Sequence, residues 1–277
     1  MNTNEAVEIF ERYGIHTSVD ANNMITISHY SQPKEGAFAQ LGINEDELIK
    51  NVVACAGAFD ARNSKLTTFP LFAAREIRLY DDNNIAEMPE LKAVGLFLVN
   101  KNLKKLPKLK FVSSIQLEES QIKSLPKLKE AGILIAQNSQ LKELPVLESV
   151  ARLCIVDCPF EDLKNLKYAG DVFICSSDEN NKIDIQSLNK LEEVEKLFVA
   201  NSNIKSIPQL KKADKIAFYN CAIKNIKQNI CSDVEIADKI TDEELSEKFD
   251  VFTDWYNSEV LQKSMDILGD IVNRINS

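Results

Sequence analysis

A repeat solenoid is the fold class that this 277-residue sequence predicts, and three columns of residues running in phase predict it. Short apolar triplets recur at Ile77, Leu96, Ile115, Leu134, Leu153, Val172, Leu197 and Ile216, every step being 19 residues except one of 25. Leu-Pro-like pairs recur beside them at Phe69-Pro70, Met88-Pro89, Leu106-Pro107, Leu125-Pro126, Leu144-Pro145 and Ile207-Pro208, in step except for one interval of 18 between Met88 and Leu106. A small apolar residue stands three places before each triplet: Ala74, Ala93, Val112, Ala131, Val150, Ala169, Val194 and Ala213. A fixed short period of this kind is the signature of stacked units.

Each column has a physical reason. The alternating L-x-L reads as a short strand with two inward side chains, because successive side chains leave a strand on opposite faces. A further apolar residue follows at Leu103, Ile122, Leu141, Phe160, Ile204 and Ile223 and turns the chain across the core. The L-P then redirects it, since proline fixes φ and donates no hydrogen bond. Nineteen residues leave no room for a full helix on the return side. No unit buries its own apolar edge, so stability must come from stacking.

The unit A/V-x-x-L-x-L-x-N-x-x-L-x-x-L-P-x-L resembles the leucine-rich repeat family, in the short form common in bacteria, over about residues 55–236. The resemblance implies an α/β leucine-rich-repeat horseshoe, a curved solenoid with a parallel β-sheet on its concave face. The family's asparagine column holds Lys101, Ser120, Ser139, Cys158, Ser177, Ser202 and Cys221 in this chain. Asparagine stands one place earlier, at Asn100, Asn138, Asn201 and Asn220, with Glu119, Asp157 and Ser176 between them. Serine and cysteine fill a tight inward slot and still hydrogen-bond backbone.

Both ends of a solenoid expose apolar edges and call for helical caps. Residues 1–54 offer a helix with Ala6, Val7, Ile9, Phe10 and Tyr13 ended by Gly14, a hairpin around Asp20–Asn23, and a second helix near Glu45–Val53 capped by Asn44. Val234 and Ile236 suggest a last strand. Residues 241–277 open with the capping box Thr241-x-x-Glu244 and continue with Leu245, Phe249, Phe252 and Tyr256, then Leu261, Met265, Leu268, Val272 and Ile275. These helices are expected to cap the C-terminal end, with a dimer contact as the alternative.

If L-x-L points inward, its middle residue lies on the concave face: Arg78, Phe97, Gln116, Ile135, Cys154, Phe173, Phe198 and Ala217. The column two residues on reads Tyr80, Val99, Glu118, Gln137, Val156, Cys175, Ala200 and Tyr219. Both are mainly apolar where a solvated face should be polar, and apolar patches of this kind mark interaction sites. The candidate partner-binding residues are Phe97, Val99, Ile135, Cys154, Val156, Phe173, Phe198 and Tyr219. Three occupants compete: another protein or peptide, a second copy of the chain, or the chain's own tail.

Other classes are disfavoured. The net charge is −9, with arginine scarce, which argues against nucleic acid despite a ladder at Lys104, Lys123, Lys142, Lys205 and Lys224. No GxSxG, HExxH, P-loop or GxGxxG occurs, and His16 and His29 lie outside the repeats, so neither an enzyme nor a cofactor or metal is expected. Cys154 and Cys175 have no histidine nearby to activate them. No run of 18 apolar residues predicts a membrane span, and the acidic N-terminus does not resemble a secretory leader. A cytoplasmic, non-enzymatic interaction scaffold is the expectation, with export by a specialised secretion system as the alternative. The six-residue insertion around Ser176–Lys182 reads as a surface loop.

Overall fold

The computed structural model describes residues 1–254 except 32–36, 62–63, 70–72, 80–84, 86–87, 89–92, 99–102, 107–108, 224–225 and 227–229. An amphipathic helix, α1 (Thr3–Arg12), opens the chain behind a capping box in which Asn2 and Glu5 exchange bonds. Gly14 follows it at φ +72°, a conformation that costs glycine nothing. Strands β1 (Thr17–Val19) and β2 (Ile25–Ile27) form the expected hairpin. Short helices α2 (Ala37–Gln40) and α3 (Glu45–Ile49) come next, and Asn44 caps α3 through Glu47 N.

Helix α3 ends at Ile49, earlier than expected, because Val52 and Val53 pair into β3 (Val52–Asp60), the first long parallel strand. The rest follow in order: β4 (Ala73–Arg78), β5 (Ala93–Leu98), β6 (Phe111–Gln116), β7 (Glu130–Gln137), β8 (Ser149–Val156), β9 (Tyr168–Cys175), β10 (Glu193–Ser202), β11 (Lys212–Cys221) and β12 (Asp233–Ala237). All twelve strands form one sheet in sequence order, parallel from β2 onward. The chain is thus a β-solenoid of stacked coils with few helices. The last helix among the described residues is α4 (Asp242–Asp254), opened by the capping box in which Thr241 and Glu244 bond each other's backbone.

The interior is built as the columns predict. Ile115, Leu117, Leu134, Ala136, Leu153, Ile155, Leu197, Val199, Ile216 and Phe218 are buried behind the sheet. The turn residues Ile122, Leu141, Phe160 and Ile204 meet Leu125, Leu144, Leu163 and Leu188 of the return side in the same core. The L-P-x-L segments are tight turns: Leu128 N donates to Leu125 O at 3.2 Å and Leu147 N to Leu144 O at 3.3 Å. Proline suits the second place of such a turn, where φ is near −60°. The insertion is absorbed in an exposed loop, after which Ile183 pairs with Ser202 and Ser187 with Ser206. That register sets Ile185, fully buried, level with Ile204.

The column after each strand explains the displaced asparagines. Glu119, Asn138, Asp157, Asn201 and Asn220 all lie near φ +50°. Asn and Asp tolerate this left-handed region, whereas most side chains do not. The next column holds the inward slot: Ser120 Oγ accepts from Ile122 N and Ser139 Oγ from Leu141 N. Cys158 Sγ donates to Ala136 O at 3.4 Å, one coil back. Replacing Glu119 with asparagine should therefore stabilise the fold by about 0.5–1 kcal/mol. An unchanged melting temperature would contradict this.

At the N-terminal end, Asp46 ties α3 to residues 67–68, accepting from Thr67 N, Thr68 N and both threonine hydroxyls. Burial pushes its pKa up, but these bonds outweigh burial and leave it lowered. A lowered carboxyl contributes stability that is present above the ordinary aspartate range and is lost as pH falls through the lowered value. Asp46→Asn is expected to cost about 1–2 kcal/mol near neutral pH. The cost should shrink in acid, and a cost independent of pH would sink the assignment.

Two features depart from expectation. In β5 the register sets Phe97, not Leu96, level with Ile77 and Ile115. The triplet there is one residue out of phase with the alternation its sequence suggests. The described C-terminal helix also lies elsewhere than at the end of the stack. Helix α4 packs against the outward face of the sheet. Among the described residues, none covers Val234 and Ile236, which remain 37% and 39% exposed. Their partners in the sheet, Ile216 and Phe218, are fully buried.

Candidate functional site

Parallel pairing in register assembles the outward face. Gln116, Ile135, Cys154, Phe173, Phe198 and Ala217 stand side by side in one row across β6 to β11. Gln137, Val156, Cys175, Ala200 and Tyr219 form the next row. The insertion between β9 and β10 does not break either row. Phe173 and Phe198 stack with centroids 4.5 Å apart and an interplanar angle of 5°, and Tyr219 tilts onto Phe198 at 5.4 Å.

Six of the eight candidate residues come together in this way: Ile135, Cys154, Val156, Phe173, Phe198 and Tyr219. Phe97 does not join their row by register, since its backbone lines up with Ile115 rather than Gln116. Val99 lies outside the described residues.

The face is not bare. Leu245 of α4 is buried in the same cluster, with Ile240 and Phe249 packed against it. Phe249 meets Phe173 at 5.7 Å. Lys248 Nζ lies 5.3 Å from the Tyr219 ring centroid and 5.9 Å from that of Phe198, and 3.8 Å from the Glu235 carboxylate. Cys154, Val156, Phe173 and Tyr219 are consequently buried, whereas Ile135 and Phe198 remain partly exposed. Of the three occupants that the sequence leaves open, the chain's own tail is the one seated there. The periodicity of Leu245 and Phe249 marked an amphipathic helix, but no feature of the sequence said which surface it would meet.

Full burial of a leucine or phenylalanine contributes about 1.5–3 kcal/mol. A helix of 13 residues is marginal in water without tertiary contacts. Helix α4 therefore depends on this seat, where Leu245 and Phe249 are its apolar anchors among the described residues.

The described thiols and phenol of the site are not activated. Burial pushes the Cys154 and Cys175 thiols up, far from thiolate character at neutral pH. Burial, then the Glu235 carboxylate, raises the Tyr219 hydroxyl. No cluster of His, Cys, Asp or Glu suited to a metal ion occurs among the described residues. Both cysteines should resist thiol reagents in the native protein at pH 8 and react once α4 is lifted. Rapid labelling of the untouched protein would contradict the burial.

A second concavity, of about 800 Å3, runs along the strand starts from Phe111 to Asp214. Its charges are mixed, and in it Arg152 and Asp171 form a largely buried pair at 3.1 Å. Elsewhere surface lysines pair between coils: Lys142 of the ladder with Glu161, and outside it Lys129 and Lys167 with Glu148 and Lys211 with Glu192. That arrangement suits a solvated edge. No described helix is long and apolar enough to cross a membrane. Compared with protein-family models, with curated proteins and with solved structures, the chain finds no match.

Proposed function

We propose that the chain is a leucine-rich repeat protein of the short bacterial type, acting as a non-enzymatic scaffold that binds a partner protein or peptide through the outward face of its parallel sheet. The observation that carries this reading is the row Ile135, Cys154, Phe173 and Phe198, with Val156 and Tyr219 beside it. Large apolar side chains in register on a sheet face are costly in water and mark contact surfaces. The mechanism is recognition alone, in a cytoplasmic or exported setting. Aromatic anchors supply the affinity, and the polar residues around them set orientation.

The test is comparative co-purification of wild type and Ile135→Asp/Phe198→Asp, the two row members that remain partly exposed. The variant should keep the wild-type strand content by circular dichroism, and the partner should be lost from it. Retention of every partner by a folded variant would end this reading.

A second reading, a self-associating subunit, is supported by the exposed Val234 and Ile236 on the edge strand β12. It expects a mass that rises with concentration and falls back in Ile236→Lys. A monomer at all concentrations would remove it.

A further inference from the structure

The seat beneath α4 fits a better helix than α4. Asp242, Leu245, Ser246 and Phe249 of α4, the i, i+3, i+4 and i+7 positions of one helical stripe, line a cleft beside the sheet, with Asp242 and Ser246 exposed at its mouth. Two of these four are polar. This cleft of about 320 Å3 stays open between helix and sheet, with Gln137, Val156, Asp157, Cys175 and Ser177 on its far wall, where Asp157 Oδ1 accepts from Ser177 N at 2.7 Å. Asp242 thus shares the cleft with Asp157, a like charge, and Ser246 shares it with apolar Val156 and Cys175. Among the described residues, the grip comes from Leu245 and Phe249, with Ile240 just before the helix and the partly exposed Lys248 beside them.

The geometry points to a docking groove for an amphipathic helix of a partner protein, with a basic residue at i and apolar residues at i+3, i+4 and i+7, for which α4 is the weaker resident occupant. The inference rests on the scaffold reading and names the chemistry of its partner. A helix already seated in the groove establishes the shape that the groove accepts. Extended peptides add to sheet edges instead, where free backbone groups are offered. A basic side chain at i answers Asp157, and a large apolar one at i+4 fills the space over Val156 and Cys175. The segment from Asp238 to Thr241 tethers α4 to β12, so a displaced α4 stays attached and competes for the seat.

Two synthetic peptides spanning residues 238–254 test this on the full-length protein, one of native sequence and one carrying Asp242→Lys and Ser246→Leu. Fluorescence anisotropy should show the substituted peptide binding wild type about tenfold tighter than the native one. Placing the same two substitutions in the chain's own α4 should weaken binding of that peptide by a similar factor. A full-length Leu245→Asp/Phe249→Asp variant should expose Cys154 and Cys175 to a thiol reagent and bind both peptides, which then restore protection.

Equal affinities of the two peptides, or no effect of the substitutions in the chain itself, would overturn the inference. So would an opened variant with reactive thiols that binds neither peptide. If circular dichroism shows that variant unfolded, the comparison of wild type with the strengthened chain still decides. A wild-type mass that doubles with concentration would assign the groove to a second copy's helix and also overturn it. Peptide binding without any cellular partner that depends on Phe198 would remove the scaffold reading and leave the groove as a seat for the tail alone. Such a partner without peptide binding would do the reverse.

Discussion

Replacing Phe160 with alanine is expected to lower the unfolding free energy by about 3–5 kcal/mol. The ring is fully buried at the turn column of a central coil, between Leu141 on one side and the Ile185 level on the other. Phe160 is the only aromatic in that column, so its loss leaves the largest hole that any turn position can leave. Neighbouring coils are tied to one another at several levels, as where Glu161 N donates to Lys142 O at 2.8 Å, and they cannot collapse independently onto the void. Urea denaturation followed by circular dichroism reads the effect. A solenoid is stabilised through neighbour interfaces, so the weakened coil should also split the transition into two halves. A loss below about 1 kcal/mol would mean that the turn column is not close-packed.

Gly170→Ala and Gly132→Ala form the second large case, each expected to destabilise by about 1–3 kcal/mol. A Cβ at Gly170 would stand 2.4 Å from Ala151 O, and one at Gly132 the same distance from Ser113 O. Neither glycine has a left-handed φ, so the demand is for space, not for conformation. The obstructing atom is a backbone carbonyl in the preceding coil, which moves only if the coils separate. Alanine also restricts the unfolded chain, a gain of about 0.4–1 kcal/mol that works the other way. The clash should win, and the melting temperature should fall for both variants. A neutral or raised melting temperature would show that the coils are spaced more loosely at their strand starts.

Much of the fold was legible because the period of the repeat is set by its inward residues. Ile115, Leu134, Leu153 and Leu197 are core in the structure for the reason their spacing indicated. The hairpin, the caps at Asn44 and Thr241, and β12 were legible from local chemistry alone. The backbone register of β5 was not legible because LFLV offers two alternations of equal quality, and only pairing with Ile77 and Ile115 selects one. The left-handed column explains the asparagines better than the tight slot beside it, yet Glu119 in the same column hid the rule.

The candidate site was half legible. Its rows follow from the alternation of side chains, which is local. Its cover does not, since the contact between Phe249 and Phe173 joins residues far apart in sequence. An amphipathic stripe says that a helix needs a surface without saying which one.

The reach of α4 has a mechanical consequence. A stack whose coils bond only to their neighbours gives way one coil at a time when it is pulled from an end. Helix α4 runs back across residues of β8, β9, β10 and β11 at once. Tension applied at the end of α4 therefore meets the helix first, and four coils share the load through it. The helix detaches as a unit before β12 is loaded, after which the strands peel singly. The sheet face is thus laid open by a force smaller than the one that parts the coils.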